Sequence, residues 1–367
     1  MNQARPELTR PRFRVTLQDV ADRAGVSLAT ASRVVNEGAR RVGPRLAQRV
    51  NEAVAELGYT ANLQARAVAT GQSTMVGVVV HDISDPYFSS IAAGLIEVAE
   101  ARGLLVCMSS TSATEAAERE YVALMRAQRA RAVILIGSRS DDAAAREALR
   151  AEIAAFTGSG GRAVAVGQDL LGVDTILPEN AAGAQALAQA MVALGHRRFA
   201  VLAGPRGLLT ARDRLEGFRA GLAAWSVPLA AARVIYGPFT RDGGYEAMSA
   251  ILAAGEPRPD CVFAVTDVMA LGALARLRAE GLAVPADIAL AGFDDIGTLR
   301  DVYPSLTTVR LPLKRMGEMA AGLVLSEAAG LVLSETGGAG HEPPRVIPVH
   351  GEVILRDSTV PRPPRPG

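Results

Sequence analysis

The chain has 367 residues, 49% of them hydrophobic and 21% charged, with a formal net charge of +1. That is the balance of a soluble globular protein of two or three domains. Its two cysteines, Cys107 and Cys261, lie far apart in apolar runs, which excludes a disulfide framework. No run of about 18 apolar residues marks a membrane span, and the N-terminus lacks the apolar core of a signal peptide. A cytoplasmic protein without membrane partners is expected.

The near-zero total charge hides an asymmetry. Residues 1–70 hold eleven Arg against six Asp or Glu, about +5, and the remainder holds 28 basic against 32 acidic side chains, about −4. A basic head on a mildly acidic body places any polyanion contact in the head.

In chain order, residues 1–13 are polar and Pro-containing and read as a disordered arm. Thr16-Leu17-Gln18-Asp19 reads as a capping box opening a helix, with Leu17, Val20, Ala21 and Ala24 at helical spacing. Gly25 allows a tight reversal, Val26 plugs the core, and Ser27 caps a second helix over 28–36, whose Val34 and Val35 turn inward. A third helix, about 44–57, starts at Pro44 and brings Leu46, Val50, Val54 and Leu57 to the core. This is helix-turn-helix spacing, with Leu28, Ala29, Ser32, Arg33 and Asn36 left on the outer face of the second helix. A helical bundle with no DNA role has the same periodicity; the basic charge of the head argues for DNA.

From residue 75 short apolar runs alternate with Ala-rich helical stretches. Strands are expected at Met75–Val80, Leu104–Met108, Ala132–Ile136 and Ala163–Val166, then at Phe199–Leu202, Val234–Tyr236, Cys261–Val265 and Ile288–Ala291. Helices between them include Phe88–Arg102, Ala184–Leu194, Thr210–Ala224, Gly243–Ala254 and Asp267–Glu280. The fold class is therefore an N-terminal all-α helix-turn-helix domain (14–60) joined through 61–72 to an α/β domain (73–360) of two parallel-sheet lobes. Lobe 1 is assigned 73–173 and 300–335, lobe 2 174–299 and 340–360, and 361–367 a disordered tail. A ligand would sit between the lobes, at the carboxyl ends of the strands. Gly322–Glu327 recurs as Gly330–Glu335, with no functional account. The four histidines, His81, His196, His341 and His350, have no metal-ligand spacing, and His196 reads as a structural residue at a helix end. No nucleophile elbow, P-loop or paired-carboxylate motif occurs, so no catalytic residue, metal or cofactor is expected.

Val15 through Asn36 resembles, almost without a break over 22 residues, the signature of the lactose-repressor (LacI/GalR) family. One departure is Ala31, where the family usually has Val. The resemblance implies that Leu28, Ala29 and Arg33 reach base edges in the major groove, Arg33 having the fork that pairs with guanine. It implies that Thr16, Ser27, Thr30, Ser32 and Asn36 contact DNA, the last four through phosphates. Residues 61–71 resemble the family's hinge helix, in which Asn62 and Ala65 meet DNA and Val68 stands where an apolar wedge enters the minor groove. Val68 replaces the usual Leu, and Ala61 stands where proline is common.

The resemblance continues through the body in Asp85–Phe88, Leu194–Arg198, Leu202–Pro205, Arg212–Phe218, Gly292–Asp295, Ser305–Val309 and Arg356–Thr359. It implies a periplasmic-binding-protein-like fold, with ligand contacts at Tyr87 and Phe88 from one lobe and Arg214, Phe239, Thr266 and Asp294 from the other. A sugar needs a charged fork (Arg214), an acceptor (Asp294) and an aromatic face (Phe239). Thr266 departs from a common Asn, and Leu311 from a common Gln. The family also includes sensors of nucleosides and of phosphorylated proteins. The expected protein is a homodimeric repressor that binds pseudo-palindromic double-stranded operator DNA under control of a small-molecule effector, with induction and co-repression both open. A solute-binding protein for transport and an enzyme using the cleft are the rivals.

Overall fold

A computed structural model describes residues 15–37, 42–60, 73–112, 114–255, 257–325 and 343–361 of the chain. The chain divides between Thr74 and Met75 into two compact units. The arm at 1–13, the hinge at 61–72, residues 326–342 with most of the repeat, and the tail beyond 361 lie outside the described residues.

The first unit holds α1 (Leu17–Ala24), α2 (Leu28–Glu37) and α3 (Pro44–Leu57). The capping box forms as the spacing predicts. Thr16 Oγ1 accepts from Asp19 N at 3.3 Å, and Asp19 Oδ2 accepts from Thr16 N at 2.7 Å. α1 ends at Gly25, whose φ of 61° is costly for any residue with a Cβ. The core is Val20, Ala21, Ala24, Ala31, Val34, Ala47, Val50 and Ala53, side chains small enough for the three helices to touch closely. Leu46 does not join it: it is 39% exposed. The buried stripe of α3 runs through Ala47, Val50 and Ala53, and Leu46 falls one position off it. Arg49 Nη2 donates to the carbonyls of Ala24 and Gly25, tying α3 to the end of α1.

The second unit runs β1 (Met75–Val80), α4 (Pro86–Glu100), β2 (Leu105–Ser110), α5 (Glu115–Ala127), β3 (Ala132–Ile136), α6 (Ala143–Gly158), β4 (Arg162–Val166), β5 (Asp174–Pro178) and α7 (Asn180–Ala193). It continues with β6 (Phe199–Leu202), α8 (Leu209–Ala223), β7 (Val234–Ile235), α9 (Arg241–Ala253), β8 (Cys261–Ala264), α10 (Asp267–Ala279) and β9 (Ala289–Ala291). The last elements are β10 (Thr308–Arg310), α11 (Leu313–Leu325), β11 (Val346–Val349) and β12 (Glu352–Ile354). One sheet is parallel throughout, in the order β11-β5-β4-β3-β1-β2; a second has the order β7-β6-β8-β9, also parallel. β3 and β8 are buried along their whole length, which is why their sequences carry no polar alternation.

The expected lobe limits need correction. β5 and β11 lie in the first sheet, where Thr175 pairs with Val346 and Val164 with Asp174. Residues 174–178 and 346–349 therefore belong to lobe 1, not lobe 2. Conversely Thr307 bridges to Ala291 and Arg310 to Asp294, so 307–310 extend the second sheet, and β10 pairs there with β12. α11 then returns to lobe 1 against α4, at a closeness only glycine permits: a Cβ on Gly317 would lie 1.9 Å from the Ile91 carbonyl oxygen. The chain thus crosses between the lobes three times, near 179, 312 and 351. Neither β5 nor β11 reads as a strand from its pattern, because each is short and contains a proline. Pro348 is tolerated because β11 is the sheet edge.

Candidate functional site

On α2, Ser27 Oγ accepts from Thr30 N at 3.1 Å and so caps the helix, and it lies 2.9 Å from Thr30 Oγ1. Leu28 is 45% exposed although large and apolar, and Ala29 and Arg33 are exposed beside it. Ala31 and Val34 face the opposite way, into the core, while Thr30 and Ser32 are half-buried between the two faces. Thr16 is exposed at the start of α1. Among the described residues, Thr16, Ser27, Leu28, Ala29 and Arg33 are exposed. The Asn36 side chain and all of Asn62, Ala65 and Val68 lie outside what is described.

In the body, the loops after the strands of both sheets converge on one cavity of about 410 Å³. Tyr87, Phe88, Arg214, Phe239, Thr266 and Asp294, read separately from the sequence, all line it. Leu311 is buried elsewhere and does not. Gly204, at φ 71°, lets the Phe239 ring lie against the backbone; a Cβ there would sit 2.2 Å from the ring. Tyr87 and Phe88 meet edge to face, their centroids 5.0 Å apart.

Arg214 is the centre of the second-lobe wall and only 2% exposed. Its Nε donates to Asn180 Oδ1 at 2.8 Å, Nη1 to the Val265 carbonyl at 2.7 Å, and Nη1 and Nη2 to the two oxygens of Asp294 at 3.3 and 2.7 Å. Four of its five N–H groups are thereby engaged, leaving one on Nη2. The guanidinium also stacks on the Phe293 ring, 3.9 Å from its centroid. Burial pushes the Asp294 carboxyl up to about 8, against the pull of Arg214. Burial likewise raises Asp85 and the Tyr87 phenol. Asp267, below the wall, is pushed by burial to about 7, though it accepts from Thr308 Oγ1 at 2.7 Å and Ile296 N at 2.9 Å. Thr266 Oγ1 accepts from Met269 N at 3.4 Å, so this hydroxyl caps α10 at the cavity rim.

Other lining residues carry no sequence signal, among them Asn180, which orients Arg214 from α7, and Ser138 and Thr210, which join the lobes. Thr210 N donates to Ser138 Oγ at 3.0 Å. Gln168, after β4, donates to Thr210 Oγ1 at 3.0 Å and accepts from Arg139 N at 2.9 Å. Backbone bonds from Asp141 N to the Gly207 carbonyl and from Leu209 N to the Arg139 carbonyl complete this seam.

Comparison with known proteins places both halves. Residues 16–62 match the family described as bacterial regulatory proteins, lacI family, and residues 188–359 match the periplasmic binding protein-like domain. The HTH-type transcriptional regulator CelR of Thermobifida fusca is 32% identical over 352 residues, spanning 95% of this chain and 99% of that protein. This chain belongs to the lacI family of bacterial regulatory proteins.

As a lacI-family member it is a DNA-binding transcriptional regulator whose operator affinity answers to a small-molecule effector. The regulator GalR of Escherichia coli is 32% identical over 316 residues, 85% of this chain and 89% of GalR. A lac repressor dimer bound to operator and the anti-inducer ONPF superimposes with a TM-score of 0.79 at 29% identity, covering 95% of this chain and all of that one. The CelR–cellobiose complex does so with a TM-score of 0.66 at 28% identity, over 94% of this chain and all of that one. The lacI-family fold thus accounts for the helix-turn-helix and both lobes. Among the described residues, no helix is long and apolar enough to cross a membrane.

Proposed function

We propose that this chain is a sugar-responsive repressor. The observation that carries the reading is the cavity ringed by an Arg–Asp pair, Asn180 and the aromatic rings of Tyr87, Phe88 and Phe239. Rings offer the C–H faces of a sugar an apolar surface, while carboxylates and amides take its hydroxyls. CelR is known with cellobiose, and a regulator from Enterococcus faecium, 21% identical, with ribose. The six residues Tyr87, Phe88, Arg214, Phe239, Thr266 and Asp294 are the effector contacts in this reading. Leu28, Ala29 and Arg33 read bases, Ser27, Thr30, Ser32 and Asn36 position the head on phosphates, and Thr16 also contacts DNA. Residues 61–72 act as the hinge, with Asn62, Ala65 and Val68 meeting DNA.

The protein works as a homodimer on a pseudo-palindromic operator. β2 is an unpaired sheet edge, and Leu105 and Met108 on it are exposed, as is Leu124 on α5, which supports a second copy covering that side. The cavity binds its ligand without converting it, because its strongest polar groups, Arg214 and Asp294, are committed to each other. The cell compartment is the cytoplasm, where operator and metabolite meet.

Selection of bound sequences from a random duplex pool, with and without a panel of neutral sugars and nucleosides, tests the reading. A palindrome whose enrichment changes with one sugar is the expected result. A palindrome that responds only to nucleosides would replace the effector class, and the absence of any palindrome at low salt would sink operator recognition.

A further inference from the structure

The first-lobe wall of the cavity holds a buried ionisable group outside the six expected contacts. His81 follows β1, is 7% exposed, and lines the cavity. Its Nε2 lies 3.4 Å from Glu118 Oε1. Glu118, on α5, is fully buried and also held by both terminal nitrogens of Arg139, Nη2 at 2.8 Å. Burial opposes ionisation of Glu118, but Arg139 and His81 outweigh it and hold the carboxyl down at about 2. An ionised carboxylate only accepts hydrogen bonds, so Nε2, the ring nitrogen that faces it, carries a hydrogen.

The surroundings keep the ring in that orientation. Gly137 has φ 154°, and a Cβ there would lie 2.3 Å from His81 Nε2, so no other residue at 137 leaves room for the ring. Phe88 flanks it, centroid to centroid 5.6 Å. Arg139 in turn belongs to the seam, its carbonyl accepting from Leu209 N at 2.9 Å. The charge around the ring also selects. Asp82 and Asp85 line the same cavity, and Arg214 already has four of its five N–H groups bonded within the protein.

We propose that His81 is a specificity-determining contact: with Nε2 tied to Glu118, Nδ1 accepts a hydrogen bond from a hydroxyl of an uncharged sugar in the cavity. This rests on the sugar reading above. Glu118 and Arg139 are positioning residues, and a phosphorylated sugar is refused by the neighbouring carboxylates.

The test is calorimetric titration of the full chain with glucose, galactose, ribose, cellobiose and glucose 6-phosphate, repeated on His81→Ala, His81→Gln and His81→Asn. The Asn side-chain carbonyl can take the place of Nδ1, whereas Gln reaches the place of Nε2. For the neutral sugar that binds, Ala and Gln are expected to weaken affinity about tenfold, and Asn to stay within about threefold of the parent. A deoxy derivative lacking the contacted hydroxyl binds the parent and His81→Ala equally. Parent-like binding by all three variants overturns the proposal. So does equal weakening by Asn and Ala at unchanged melting temperature, which reduces His81 to packing, and so does preferred binding of glucose 6-phosphate. If no sugar binds the parent chain, the sugar reading itself falls, and this contact with it.

Discussion

The two functional surfaces of the molecule are built on opposite plans. On α2 the reading face is exposed: Leu28, Ala29 and Arg33 stand on a helix whose other face packs a core of Ala and Val. In the cavity the working groups are buried and hold one another, Arg214 with Asp294 and Asn180, Glu118 with Arg139. The contrast separates stability from recognition. A side chain on the exposed face of α2, such as Arg33, can be removed without disturbing the fold, since it packs no core. A side chain in the cavity wall cannot, because its partner would be left charged and dry.

The largest effect that tests this contrast is Asp294→Ala, which strands the Arg214 guanidinium. It should destabilise the body by about 3–5 kcal/mol, read by thermal unfolding with Trp225, the sole tryptophan, as reporter. Arg214→Met should cost less, because the orphaned Asp294 can take up a proton whereas a guanidinium cannot lose one. Equal losses would show that the pair contributes only packing.

Acid titration comes next. The Glu118 carboxyl sits near 2 in the folded chain against an ordinary value of 4.5, so the unfolded chain binds more protons between these limits. Stability is then fully present above about pH 4.5 and lost as pH falls towards 2, by about 3 kcal/mol. Glu118→Gln should flatten that part of a pH–stability profile; an unchanged slope assigns the loss to other carboxylates.

On the exposed side, Arg33→Ala should leave the melting temperature where it is and cost about 1–3 kcal/mol of discrimination for the selected operator, measured by competition with random duplex. A drop in melting temperature would mean that α2 is not the free face described. The smallest effect is Thr16→Ala, which removes one half of the capping box. About 1 kcal/mol of stability in the head should go, seen in helix content on heating.

The same contrast explains how much the sequence discloses. The helix-turn-helix is local: Thr16 and Asp19, Gly25, and the stripe from Val20 to Val34 act over a few residues, so spacing exposes them. Leu46 is the exception: it lies one position off the buried stripe of α3. The strands of the body are legible where they are apolar on both faces, as in β1, β3 and β8. β5 and β11 are not, since short segments with Pro178 and Pro348 look like loops and their partners lie about 170 residues apart. The lobe limits are therefore not legible in the sequence. In the cavity, residues inside family motifs could be carried over one by one. Asn180 and His81 could not: what gives them meaning is Arg214 and Glu118, distant in sequence and joined only by the fold.

The three passages of chain between the lobes have a mechanical consequence. A single strand between two bodies is a swivel, free to turn about any axis. Three passages side by side act as a door hinge, stiffer to twisting and sliding than to swinging, with the seam between Ser138 and Thr210 as its latch. A ligand that closes the cleft would do its work chiefly along that one angle. A protease that nicks one passage should leave the door on its frame, still swinging, with a looser pin.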